Sequence, residues 1–170
     1  MPPESPKQPM APDMFAKSRE PVTHDKSGAS ENRDGSEDLI LVERITVLSG
    51  RLVCRVAIPD PRFRYGNHKL GAVVRRAFPS IKAHSCVNGE SDMFDPVLDT
   101  TSVPHVLEHI AIDIQIHETK KAEQLVGATE WLDEDAGVAM IQLSFADDFE
   151  ALSAFKQAVT FLNKVAPVCY

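Results

Sequence analysis

Val103-Pro104-His105-Val106-Leu107-Glu108-His109-Ile110-Ala111-Ile112-Asp113-Ile114-Gln115-Ile116-His117 fits two conformations, and the choice between them decides the fold. Residues 110–116 alternate apolar and polar in the manner of a strand. Val103, Leu107, Ile110 and Ile114 instead form a stripe at steps of four, three and four, which is the spacing of a buried helical face. Thr101 or Ser102 is a suitable N-cap, and Pro104 suits a first helical turn. The spacing predicts a helix over 103–117, because that conformation yields a buried stripe and also gathers His105, Glu108 and His109 on one side.

On the N-terminal side, residues 39–48 and 51–58 are rich in β-branched residues and are joined by Ser49-Gly50, which predicts an antiparallel hairpin ended by Pro59 and Pro61. Leu70, Val73, Val74 and Ala77 follow helical spacing, so residues 67–78 are expected to form a helix that stops at Pro79. Residues 81–87 read as a short strand and 88–92 as a turn. On the C-terminal side, 118–125 reads as a loop. Strands are expected at 126–131 and 138–145, with Asp135-Ala136-Gly137 turning between them. Asp147 or Asp148 caps a last helix whose apolar face is Phe149, Leu152, Phe155, Ala158, Val159 and Leu162. The order ββα(β)αββα predicts an α+β fold, an antiparallel sheet with helices packed on one face, in a loosely duplicated ββα rhythm.

Residues 1–38 differ from the rest. Pro2, Pro3, Pro6, Pro9, Pro12 and Pro21 make up half of the chain's twelve prolines, and large apolar groups are few. Such a segment buries too little surface to offset its ordering entropy, so a disordered tail is expected before a domain at 39–170. The net charge of -7 disfavours nucleic acid and anionic membranes as partners. No apolar run reaches the length of a membrane span, and the first residues lack a basic-then-apolar leader pattern. Cys54, Cys86 and Cys169 form no disulfide framework, which fits a reducing cytoplasm.

His105-Val106-Leu107-Glu108-His109 has the H-x-x-E-H spacing used by inverted zinc metallohydrolases. Imidazoles at i and i+4 on a helix point at one spot, and Glu108 lies on the same face. A catalytic zinc needs three protein ligands and an open position for water. His105 and His109 supply two. Cys86, His84, Glu118 and Glu123 are candidates for the third, with Cys86 first because thiolate binds zinc strongly. Glu108 is then the expected general base, accepting a proton from the activated water and passing it to the leaving group.

Two stretches resemble the N-terminal domain of cyanophycin synthetase. Ala77-Phe78-Pro79-Ser80-Ile81-Lys82-Ala83-His84-Ser85-Cys86 is similar to its A-L-P-S-L-x-x-H-x-C segment, and residues 105–115 to its H-x-x-E-H-V-A-L-E-L-Q helix. The strand at 138–145 and the last helix also fit, so the likeness runs over residues 39–165. The resemblance implies a unit similar to a half-repeat of pitrilysin-type metallopeptidases and to S-ribosylhomocysteinase. It implies zinc held by Cys86, His105 and His109, with Glu108 as base. In some members this domain cleaves the Asp–Arg polymer to make primers, and in others it mainly holds the polymer. The chain departs from the family in two places. Thr100-Thr101-Ser102-Val103-Pro104 replaces G-T-W-x-G. Val126-Gly127-Ala128-Thr129-Glu130-Trp131 stands where the family has G-R-T-R-E, so its arginines are missing. No ligase-sized region or glycine-rich phosphate loop is present.

The leading expectation is therefore a zinc-dependent hydrolase of a peptide or isopeptide bond acting on a peptide or polypeptide substrate. His84, Glu130 and Trp131 are expected beside the ligands or the substrate; related folds pair up to build complete clefts, so a homo-oligomer is one possible assembly, which the sequence does not decide. The alternative is a non-catalytic stand-alone binding or accessory module of the same fold. Lyase chemistry like that of S-ribosylhomocysteinase shares the ligand set but ranks below both.

Overall fold

The computed structural model describes residues 38–86, 92–119 and 125–170. The expected tail, apart from Asp38, lies outside them, as do Val87, most of the expected 88–92 turn and Glu123. The elements are β1 (Leu41–Leu48), β2 (Arg51–Ala57), α1 (His68–Ala77), α2 (Val103–Thr119), β3 (Gly127–Asp133), β4 (Val138–Ser144) and α3 (Asp148–Val165). Short 3-10 turns occupy Pro61–Phe63, Pro79–Ala83, Asp95–Val97 and Ala166–Val168.

The fold is α+β. Four antiparallel strands run in the order β1-β2-β4-β3, so the two hairpins lie side by side through β2 and β4. Strand side chains alternate between faces. The register pairs Leu52 with Leu143, Cys54 with Ile141 and Val56 with Ala139. All six are fully buried, whereas Arg55 is exposed and Met140 and Gln142 on the other face are half-buried. Helices α2 and α3 lie side by side, α2 against β3 and β4 and α3 reaching β2. Val106, Leu107, Ile110, Phe155, Ala158 and Leu162 fill the layer between helices and sheet. Each such aliphatic or aromatic side chain contributes roughly 1.5–3 kcal/mol by leaving water.

The caps follow the sequence. Asn67 accepts from the backbone N–H groups of Lys69 and Leu70 at the start of α1. Asp147 accepts from Glu150 N–H at the start of α3. Gly137 turns β3 into β4 with φ +72°, and a Cβ there would lie 2.1 Å from the Ile58 carbonyl oxygen, so only glycine fits.

The expected strand at 81–87 differs. Pro79 opens a 3-10 turn that buries Ile81. The extended part shrinks to a bridge between Ser85 and Met93, flanked by Cys86 N–H to Asp92 C=O at 3.0 Å and Phe94 N–H to His84 C=O at 3.0 Å. Proline fixes its own φ and lacks the ladder N–H, which favours the turn at this point. Among the described residues no helix is long and apolar enough to cross a membrane.

Candidate metal centre

Helix α2 is buried on nearly all sides from Val103 to Asp113. Its start is fixed from outside. Val103 N–H donates to the Arg64 carbonyl, and Tyr65 forms an isolated bridge with Ser102. The Ser102 carbonyl accepts from the N–H groups of His105 and Val106. These bonds set which way His105 and His109 point.

Cys86 arrives from the bridge segment. An extended chain places residues i and i+2 on the same side. His84 and Cys86 therefore both face α2, while Ser85 between them is exposed. One candidate ligand atom each from Cys86, His105 and His109 lies within 4.8 Å of the others. Cys86 Sγ is 3.4 Å from His105 Nε2. Bonds of about 2.0–2.3 Å in a tetrahedron separate neighbouring nitrogen and sulfur ligands by about 3.5 Å. The thiol and imidazole already stand at the spacing that a small divalent ion requires, and the donor set of one sulfur and two imidazoles fits zinc.

Each imidazole has a backing group. His105 Nδ1 is 2.8 Å from the Thr101 hydroxyl, which leaves Nε2 toward the sulfur. His109 Nδ1 is 3.2 Å from His84 Nδ1. Phe94 stacks on the His109 ring at 3.7 Å and meets the His105 ring edge-on at 5.2 Å. His84 Nε2 lies 3.1 Å from Asp113 Oδ1, although that oxygen has no well-formed hydrogen bond among the described residues.

Burial sets the charges. It pushes the His109 imidazole down to about 2, helped by the neighbouring His105 and His84, and it lowers His105 as well. Burial and then the Glu108 charge push the Cys86 thiol up to about 11. The three candidate ligands are thus a protonated thiol and two neutral rings.

Glu108 is 4% exposed. Burial raises its carboxyl to about 7, against the lowering effect of the Thr129 hydroxyl, which donates to Oε2 at 2.6 Å. Gly127 makes room for it: a Cβ at that position would stand 2.4 Å from Oε1 and 2.6 Å from Cγ. A carboxyl that shares its proton near neutral pH suits general acid–base work.

The remaining candidates are placed as follows. His84 is half-buried against His109. Trp131 shares the Thr129 side of β3 and its ring lies 6.2 Å from that of Tyr65, near the start of α2. Glu130, at the intervening position, is exposed on the opposite side. Glu118 sits near the exposed end of α2, where it accepts from Gln157 at 2.9 Å. Phe94, Asp113, Gly127 and Thr129 carry no recognisable signal of their own, and Thr101 signals only a helix cap. The Gly-x-Thr spacing at 127–129 was the available one, since the G-R-T-R-E segment has it too, and the arginine positions, Ala128 and Glu130, are exposed.

A family model of the cyanophycin synthase-like N-terminal domain matches residues 68–167. The match spans more than half of the 170 residues and every element that builds the centre, so the chain belongs to this family. It does not extend to the first hairpin. No curated protein matches the chain significantly.

Proposed function

We propose that this member of the cyanophycin synthase-like N-terminal domain family is a zinc-dependent hydrolase of a peptide or isopeptide bond. The observation that carries the reading is the convergence of Cys86, His105 and His109 beside a buried carboxyl on the same helix. A bound zinc supplies Lewis acidity and a water of lowered pKa.

The chain's own residues do the rest. Cys86, His105 and His109 would hold the ion. Glu108 accepts a proton and later delivers it to the leaving amine. Its Oε2 is engaged by Thr129, so Oε1 is the oxygen that carries the proton. Thr129 and the absent side chain of Gly127 keep that oxygen in place. Trp131 and Tyr65, whose rings lie 6.2 Å apart near the first turn of α2, are the aromatic groups this reading assigns to substrate contact. The likeness to pitrilysin-type peptidases belongs to the same proposal.

The test uses purified full chain, zinc analysis, and hydrolysis of the Asp–Arg polymer together with a panel of peptides. Stoichiometric zinc in the wild type and its loss in Cys86→Ser are expected. Glu108→Gln should keep zinc while turnover drops by about 10²–10⁴-fold. Full activity in Glu108→Gln refutes its role. Zinc without hydrolysis of any substrate favours a binding module of the same fold.

A further inference from the structure

Helix α2 carries four polar residues at steps of four: His105, His109, Asp113 and His117. The first two belong to the metal centre. Asp113 is 3% exposed, one turn beyond the second ligand and away from the thiol. A carboxylate is rarely buried this deeply without a specific partner. Its contacts run back toward the centre. His84 Nε2 lies 3.1 Å from Oδ1, and that oxygen makes no well-formed hydrogen bond among the described residues. The Ser80 hydroxyl and His117 also face the Asp113 carboxylate. On its other side, the His84 ring reaches His109, Nδ1 to Nδ1, at 3.2 Å.

We propose that Asp113 and His84 are positioning residues that fix the tautomer and orientation of His109 as a metal ligand. This rests on the zinc reading above. An ionised carboxylate only accepts, so His84 presents its proton at Nε2. With that proton on Nε2, Nδ1 of His84 is left to accept the Nδ1–H of His109. That leaves the Nε2 lone pair of His109 for the ion. Phe94, stacked on the same ring, holds its plane. His105 obtains the same service from Thr101. Outer hydrogen bonds of this type typically change metal affinity by about 10–100-fold when removed.

The experiment measures zinc affinity by competition with a chromophoric chelator for wild type, His84→Phe, Asp113→Asn and Cys86→Ser, with circular dichroism as a check on folding. Nitrogen-15 NMR of the histidine rings in the metal-free wild type reads the tautomers without any substitution. Zinc affinity should fall about 10–100-fold in His84→Phe and by less in Asp113→Asn, whose amide oxygen can still accept. The proton should sit on Nδ1 of His109 and Nε2 of His84. Wild-type zinc affinity in a folded His84→Phe, beside loss in Cys86→Ser, overturns the positioning role and leaves the metal centre standing. A proton on Nε2 of His109 overturns it directly. A wild type that takes up no zinc overturns the metal reading and this inference together.

Discussion

A single hydrogen in place of a methyl at residue 127 decides where Glu108 can lie. Gly127→Ala would set a Cβ 2.4 Å from Oε1, so the carboxyl has to swing away from its place beside the ligands. Turnover is expected to fall at least about 10²-fold, as small misplacements of a catalytic group do, while zinc content stays unchanged. Parallel zinc analysis and kcat/KM check this, and undiminished kcat/KM would show that Glu108 has room to spare. Thr129→Val removes the hydroxyl that donates to Oε2 and keeps the shape. A loss of about 1–3 kcal/mol in denaturant unfolding is expected from a buried hydrogen bond to a carboxyl. An unchanged midpoint would mean that the bond contributes nothing. His105, Glu108 and His109 were legible because one helical turn contains them. Gly127 and Thr129 were not, because Thr129 meets Glu108 across 21 residues of chain and neither residue type signals a role.

Among the elements, α2 was the hardest to read. A helix buried on one side shows a clean stripe, but this one is buried nearly all round, so apolar residues fall on every face. Ile110 and Ile114 fill one face and Ile112 and Ile116 another, and together they mimic strand alternation. The stripe of Val103, Leu107, Ile110 and Ile114 and the shared face of His105, Glu108 and His109 broke the tie. The 81–87 segment misled in the other direction, since Ile81 and Val87 suggest a strand while Pro79 imposes a turn. Arg75 of α1 donates to Asp95 Oδ1 at 2.7 Å and to Asp99 Oδ1 at 2.6 Å, tying α1 to the turn that follows Phe94. Burial alone would raise the Asp99 carboxyl, but the Arg75 and His68 contacts outweigh it and hold it below its ordinary value of 3.8. A depressed carboxyl stabilises the fold above its unfolded pKa and ceases to do so as pH falls through the folded one. Melting temperature should therefore fall as acid is added below about pH 4, and less steeply in Asp99→Asn. Parallel melting curves for the two proteins over that range would contradict this.

At the scale of the molecule, both hairpins and the three helices were legible, because each rests on local turns, caps and periodicity. The strand order β1-β2-β4-β3 was not, since β2 and β4 pair across α1, α2 and β3. The centre depends on that non-local assembly. Cys86 comes from the segment after α1, the histidines and Glu108 from α2, and Gly127 and Thr129 from β3. An ion held only by the folded arrangement stabilises it by mass action, by about 4 kcal/mol at a thousand times its dissociation constant. Chelation with EDTA should lower the melting temperature of the wild type and leave that of Cys86→Ser unmoved. Equal shifts would place the ion elsewhere. The most direct test is X-ray absorption at the zinc edge on the loaded full chain. One sulfur at about 2.3 Å and two imidazole nitrogens at about 2.0–2.1 Å are expected, with the sulfur shell lost in Cys86→Ser. A zinc shell without sulfur, or a protein that holds no zinc, would contradict the account.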